Sequence, residues 1–146
     1  MILISHRGNT LGKNKKEENK LSYIEKTINE GFEVEIDIWC NKNKLYLGHD
    51  DAQYVVQISW LEKYKEKLWI HCKDLASLSF FSTKLKNKDF NFFFHDNDDA
   101  TLTSKGYLWI HPGKQPVNNS IAVLPELYND DFSRCIGICS DFISNY

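Results

Sequence analysis

The chain has 146 residues, a length that fits one domain with a single hydrophobic core. Hydrophobic residues make up 42% of it and charged residues 26%, as in an ordinary globular protein, and the formal net charge is −2. Lysine supplies nearly all of the positive charge, since arginine occurs only at Arg7 and Arg134. No basic block indicates a nucleic acid as the partner, and no apolar run is long enough to predict a membrane span.

The four cysteines, Cys40, Cys72, Cys135 and Cys139, form no Cys-x-x-Cys pair, and the sequence shows no signal peptide. We therefore expect a reduced, cytoplasmic protein in which the thiols are small buried side chains. Because Cys135 and Cys139 are four residues apart, zinc binding by this pair stays open as an alternative.

The chain begins with a short apolar strand that ends in His6-Arg7-Gly8. The lysine-rich segment 9–19 follows, which is typical of a solvated loop; a mobile flap over an anionic substrate is the alternative interpretation. An apolar stripe at helical spacing then predicts a helix over 21–28, and Gly31 is placed to end it.

The central stretch, residues 34–39, alternates apolar and acidic side chains. Since side chains on a strand change faces at every residue, Glu35 and Asp37 share one face about 6–7 Å apart. Two carboxylates at this spacing are suited to holding a hard cation. A short turn and a second strand arm, 44–50, return the chain so that His49 reaches the same end. The stretch therefore predicts a metal site beside a proton-transfer group.

The remaining elements continue an alternation of helices and strands. We expect helices over 58–65, with Ser59 as a possible N-cap, and over 75–85, a short helical turn over 98–104, and strands over 67–73, 90–96, 106–111, 121–124 and 136–141. This order predicts one α/β domain with about seven parallel strands, the hairpin arm and helices outside the sheet.

All five histidines of the chain follow apolar strands at their carboxyl ends: His6, His49, His71, His95 and His111. In parallel α/β sheets and barrels, active sites gather at these strand ends. The positions therefore predict a catalytic rim before any family is considered. A zinc hydrolase that uses His71, His95 and His111 stays open, although the sequence has no His-Glu-x-x-His helix to support it.

The first third of the chain carries a set of short motifs in a fixed order. They are His6-Arg7-Gly8, Glu18-Asn19, Gly31, Glu35-Ile36-Asp37 and His49-Asp50. In this order and spacing they resemble the glycerophosphodiester phosphodiesterases, which belong to the TIM-barrel phosphodiesterase and phospholipase group. The segment 136–141 also resembles the closing strand of that family.

The resemblance implies a compressed or incomplete (β/α) TIM-type barrel of mainly parallel strands, because a full barrel needs about 200 residues or more. It implies a metal-dependent phosphodiesterase that cleaves a small glycerol- or sugar-type phosphodiester. In such an enzyme His6 and His49 are the general acid/base pair, and Arg7 and Lys73 contact the phosphate. A lyase that releases a cyclic phosphate, or a catalytically degenerate barrel used for binding or assembly, are the alternatives.

The resemblance also implies one divalent cation, with Glu35 and Asp37 as ligands and Glu18 as a ligand or a supporting group. His71 stands where the family has a glutamate ligand. Mg²⁺ or Ca²⁺ is favoured, and Mn²⁺ or Zn²⁺ is an alternative because His71 would add a nitrogen ligand. The expected partner is a small-molecule phosphodiester, without nucleic acid or membrane, and a homo-oligomer could cover exposed barrel edges.

Overall fold

A computed structural model describes residues 1–146 and contains ten strands and three short α-helices. The strands are β1 (Ile2–His6), β2 (Glu33–Asn41), β3 (Lys44–Leu47), β4 (Tyr54–Val56), β5 (Leu68–Cys72), β6 (Phe92–Phe93), β7 (Ala100–Leu102), β8 (Leu108–Ile110), β9 (Ser120–Val123) and β10 (Gly137–Ser140). The helices are α1 (Leu21–Asn29), α2 (Ile58–Tyr64) and α3 (Leu75–Ser79). A π-helical turn, Phe80–Lys84, follows α3.

The strands form one mixed sheet that curves into a half-barrel. Strand β2 lies at its centre and pairs in parallel with β1 on one side and with β5 on the other. Parallel pairing continues from β1 through β10 and β9 to β8, and from β5 to β6. Strands β3 and β4 extend the end of β2 in antiparallel pairing, and β7 pairs antiparallel with β8.

The predicted TIM-type barrel of mainly parallel strands with alternating helices is therefore wrong. The three helices have 9, 7 and 5 residues, and the connections after β6 contain no α-helix. Parallel strands are usually joined by a crossover that contains an α-helix, and the second half of the chain uses loops and a 3-10 turn instead. Without an outer layer of helices there, the sheet stays open.

No helix has both the length and the apolar character needed to cross a membrane.

The predicted strands are found, whereas several local features differ. The segment 98–104 holds strand β7 instead of a helical turn, and β4 follows the hairpin arm without having been predicted. Gln57 precedes α2 with no capping side chain, so Ser59 is not the N-cap. The helix predicted over 75–85 is α-helical only as far as Ser79.

Two apolar clusters occupy the two faces of the sheet. The larger one packs the helices against the outer face and includes Val34, Ile36 and Ile38 of β2. The smaller one fills the inner face, where the Trp109 ring lies 5.6 Å from Trp69 and 4.7 Å from Phe93, centroid to centroid. The alternation along β2 therefore places its two acidic side chains on the inner side, above this smaller cluster.

All four cysteines are free thiols. Burial raises the pKa of the Cys72 thiol to about 12 and raises that of Cys139 well above its usual range. Because the thiolate is the reactive form, we expect Ellman's reagent at mildly alkaline pH to modify only the partly exposed Cys40 in the native protein, and all four thiols after denaturation. Rapid native reaction of Cys72 or Cys139 would contradict this burial.

Neither Cys135 nor Cys139 belongs to a group of converging metal-ligating atoms.

Candidate active site

A cleft of about 350 Å³ opens at the carboxyl ends of the parallel strands. Its volume lies within the usual range for small-ligand sites. The five histidines that the sequence placed at strand ends all line it: His6, His49, His71, His95 and His111. Three cationic side chains, Arg7, Lys13 and Lys73, and two acids, Glu35 and Asp141, lie along the same walls.

Strand register brings the central groups together. In the β1–β2 pairing His6 stands opposite Glu35, and in the β2–β5 pairing Asp37 stands opposite His71. Paired residues of parallel strands point to the same face of a sheet. The two strand pairs therefore place two carboxylates between two imidazoles on the inner face.

Glu35, Asp37 and His71 form a buried group with side chains 3%, 0% and 8% exposed. Each offers one ligand atom, and these atoms lie within 4.8 Å of one another. The Nδ1 atom of His71 lies 3.1 Å from Asp37 Oδ1 and 3.7 Å from Glu35 Oε1. Burial alone would lower the pKa of His71, but its contacts with the Asp37 and Glu35 carboxylates outweigh burial and raise it. The two carboxylates therefore attract positive charge to this point of the cleft.

Two carboxylate oxygens in this group, Glu35 Oε2 and Asp37 Oδ1, are buried and accept no hydrogen bond. Leaving a buried charged oxygen without a partner is costly, and such atoms are rare in folded proteins. Two carboxylates and one imidazole nitrogen are ligands that divalent cations accept. The donor set therefore fits the divalent cation that the sequence predicted.

The other oxygen of Asp37 is fully occupied. Its Oδ2 atom lies 2.8 Å from Arg7 Nε and accepts a hydrogen bond of 2.9 Å from Asn19 Nδ2. Lys73 Nζ lies 3.5 Å from Asp37 Oδ1. Burial alone would raise the pKa of the Asp37 carboxyl, but contacts with neighbouring histidines and with Arg7 hold it well below its usual range. Asp37 is therefore a carboxylate in the folded chain.

His6 is oriented by an acid from the last strand. Its Nδ1 atom lies 2.8 Å from Asp141 Oδ1, and Asn9 Nδ2 donates to the same oxygen at 2.7 Å. Burial alone would raise the pKa of Asp141, but the bond and charge of His6 lower it. A carboxylate on Nδ1 favours the tautomer with its proton there, so the Nε2 lone pair faces the cleft. That Nε2 atom lies 3.9 Å from Glu35 Oε2.

Glu18 lies apart from the three converging ligands. Its Oε1 atom accepts a hydrogen bond from Asn9 Nδ2 at 3.0 Å, and its Oε2 atom lies 3.5 Å from Arg7 Nη1. Of the two roles that the sequence left open for Glu18, these contacts favour the supporting one. Arg7 itself has a φ of 58°, an uncommon conformation for a residue other than glycine and a form of backbone strain that is concentrated at functional sites.

His49 lies on the open side of the cleft, with its side chain 40% exposed. Its Nδ1 atom lies 3.5 Å from Asp37 Oδ2, and the Gly48 amide donates to the Asp37 carbonyl at 3.1 Å. Trp39 Nε1 donates to the Gly48 carbonyl at 2.6 Å and fixes the same turn. The hairpin arm thus returns His49 to the acidic pair, as predicted.

Several residues in or beside the cleft have roles that were not predicted from the sequence. His6 and Asn9 both contact Asp141, which lies more than 130 residues further along the chain. No local sequence pattern signals a contact over that separation. Lys13 lines the cleft from the segment whose alternative interpretation was a flap. Asp98, next to His111, depends on the β7–β8 hairpin that the sequence did not predict.

No protein-family model matches the chain, and no curated protein and no solved structure matches it. The resemblance to the glycerophosphodiester phosphodiesterases therefore stays a prediction from short motifs. The chemistry of this cleft has to be argued from its own side chains.

Proposed function

We propose that the chain is a divalent-metal-dependent phosphodiesterase that cleaves a small glycerol- or sugar-type phosphodiester, with His6 and His49 as its acid/base pair. The observation that carries this function is the convergence of Glu35, Asp37 and His71 beside a cleft lined by both histidines, with one buried oxygen of each carboxylate that accepts no hydrogen bond. The motif resemblance rests on the same residues and implies the same reaction class.

Glu35, Asp37 and His71 would hold the metal ion, since their ligand atoms converge and one buried oxygen of each carboxylate accepts no hydrogen bond. When bound there, a divalent cation offsets the negative charge of a phosphodiester and of its transition state. Mg²⁺ or Ca²⁺ suits the two carboxylates, and Mn²⁺ or Zn²⁺ suits the imidazole better.

The His6 side chain is 10% exposed and the His49 side chain 40% exposed, and this difference in burial separates their roles. With Nδ1 bonded to Asp141, His6 presents the Nε2 lone pair to the cleft and takes the proton of the attacking hydroxyl. The new bond joins that oxygen to phosphorus, and the bond from phosphorus to the leaving ester oxygen breaks. His49, on the open side, gives a proton to the leaving alkoxide, which departs as an alcohol into solvent.

Cationic side chains surround the position where the phosphate would lie. Arg7, Lys13 and Lys73 all line the cleft, and Arg7 and Lys13 also line an adjoining polar pocket of about 200 Å³. Preorganised positive charge in a site of this kind stabilises the charge that develops on the phosphoryl oxygens. A small anionic diester fits this arrangement, and the four free thiols fit a reducing cytoplasm.

The experiment is a phosphorus NMR time course of the full chain with glycerophosphodiesters and with nucleotide-linked glycerol or sugar diesters. Mg²⁺, Mn²⁺, Ca²⁺ and Zn²⁺ are offered in turn. Glu35→Gln removes one metal ligand, and we expect metal affinity to fall by more than the roughly 10- to 100-fold that loss of a supporting group costs. Glu33→Gln is the matched control, because Glu33 lies on the same strand, where it accepts only from Trp69 Nε1.

A monoester that forms with wild type and Glu33→Gln, but only at much higher metal concentration with Glu35→Gln, would support the proposed reaction. A cyclic phosphate that accumulates and persists would change the reaction class to a lyase at the same site. No turnover with any metal or diester, or equal metal dependence of the two glutamine variants, would overturn the proposed function.

A further inference from the structure

A second group of metal-ligating side chains lies beyond His71, and two of its three members, His95 and His111, line the same cleft. His95, Asp98 and His111 each offer one ligand atom, and these atoms lie within 4.8 Å of one another. The ring centroids of His95 and His111 are 4.1 Å apart, and the His95 ring stacks on His71 at 4.2 Å. Two imidazole nitrogens dominate this group, whereas two carboxylates dominate the group around Asp37.

The backbone brings these side chains together from three directions. His95 follows β6, His111 follows β8, and Asp98 precedes β7. Antiparallel pairing of β7 with β8, extended by a hydrogen bond of 3.0 Å from the His111 amide to the Asp99 carbonyl, places Asp98 beside His111. The distance from His111 Nε2 to Asp98 Oδ1 is 3.4 Å.

The hydrogen bonds around the group leave its ligand atoms free. His111 Nε2 is buried and has no hydrogen-bond partner. His95 Nδ1 lies 3.4 Å from the Asp96 carbonyl oxygen, which favours the tautomer with a lone pair on Nε2. Asp98 Oδ2 accepts from the Asp96 amide at 3.1 Å and leaves Oδ1 on the side of His111. A metal-bound histidine usually donates its second ring N–H to a carbonyl or carboxylate in this way.

We propose that His95, Asp98 and His111 bind a divalent transition metal ion of the zinc class, at a site separate from the Glu35–Asp37 pair. Imidazole nitrogens select such ions over Mg²⁺ and Ca²⁺. Three protein ligands at the wall of an open cleft leave a coordination position for water or substrate, as in catalytic and not in closed structural zinc sites. Binding there does not depend on the phosphodiesterase reaction.

The test is metal titration of the metal-free full chain without any substrate. Co²⁺ is the probe, because it replaces Zn²⁺ in such sites and its bound form absorbs visible light. We expect one Co²⁺ to bind through this group and Zn²⁺ to displace it. His111→Ala and Asp98→Asn should each weaken binding by more than the roughly 10- to 100-fold that loss of a supporting group costs.

Two control variants make the titration specific. Asp99→Asn changes the neighbouring exposed carboxylate, which pairs with Lys114 at 2.9 Å, and should leave Co²⁺ binding unchanged. Glu35→Gln disables the acidic pair and should leave unchanged the visible absorption of Co²⁺ bound by the second group, so that failure of the phosphodiesterase function and failure of this site are told apart. Equal weakening by Glu35→Gln, or full binding by His111→Ala, would overturn the second site.

Imidazole nitrogen NMR of the wild-type chain covers the case in which a variant does not fold. At one equivalent of Zn²⁺ we expect the ring nitrogens of His95 and His111 to shift as metal ligands, while the His6 and His49 rings keep their resonances. Shifts confined to His71, or no shift in any ring, would overturn the site.

Discussion

Replacing His6 with alanine is expected to lower kcat for diester cleavage by about 100- to 10,000-fold, the usual contribution of a positioned acid or base. His6 is held by Asp141 at 2.8 Å, whereas His49 lies on the open side of the cleft, so we expect no other side chain to take the proton-transfer role of His6. The measurement is kcat and kcat/KM by phosphorus NMR at saturating metal. Added imidazole should restore part of the activity, because it fills the space and supplies the missing base.

Asp141→Asn separates orientation from proton transfer. An amide on Nδ1 still bonds to the ring but no longer fixes the same tautomer, and a hydrogen bond to a charged group contributes about 1.5–3 kcal/mol, or roughly 10- to 100-fold in rate. We expect this smaller loss together with a displaced pH–rate profile.

The His6→Ala variant must be shown to be folded, by thermal unfolding. If the folded variant turns over like wild type, a residue other than His6 is the base.

The candidate site could be predicted in large part because strand signals are local. Alternation along 34–39 correctly placed Glu35 and Asp37 on one face, and the position of all five histidines after apolar runs correctly indicated a shared rim. Both inferences depend only on the two-residue period of a strand and on parallel strands ending at one edge. The roles of the individual side chains stay predictions.

The fold class could not be predicted, because it depends on connections that carry no periodic signal. Helical spacing over 75–85 did not reveal that the α-helix ends at Ser79, and nothing local showed that the loops after β6 lack helices. Polar residues at 98–104 suited a helical turn, but backbone pairing with β8 made them a strand. The same tertiary pairing brings Asp98 to His111, so the wrong prediction for 98–104 and the missed residue Asp98 have one cause.

Asp37→Ala is expected to destabilise the metal-free protein by about 3–5 kcal/mol, the usual cost of breaking a buried ion pair from one side. The substitution leaves the Arg7 guanidinium, which is 9% exposed, without its 2.8 Å partner, and leaves Asn19 Nδ2 without an acceptor. Relief of repulsion between Asp37 and Glu35 acts in the opposite direction. The low pKa of Asp37 despite complete burial shows that attraction to its cationic neighbours is the larger effect.

Urea unfolding followed by circular dichroism measures this loss, with Asp50→Ala as the control. The Asp50 side chain is 95% exposed, so its replacement should change the free energy of unfolding by no more than about 0.5 kcal/mol. Added divalent metal then links stability to the proposed site: at 100 times its Kd, one bound ion stabilises the wild type by about 2.7 kcal/mol. Since Asp37 supplies a ligand, metal should give the alanine variant far less of this stabilisation. Equal stabilisation of both proteins would place the ion elsewhere and remove the basis for a metal at the acidic pair.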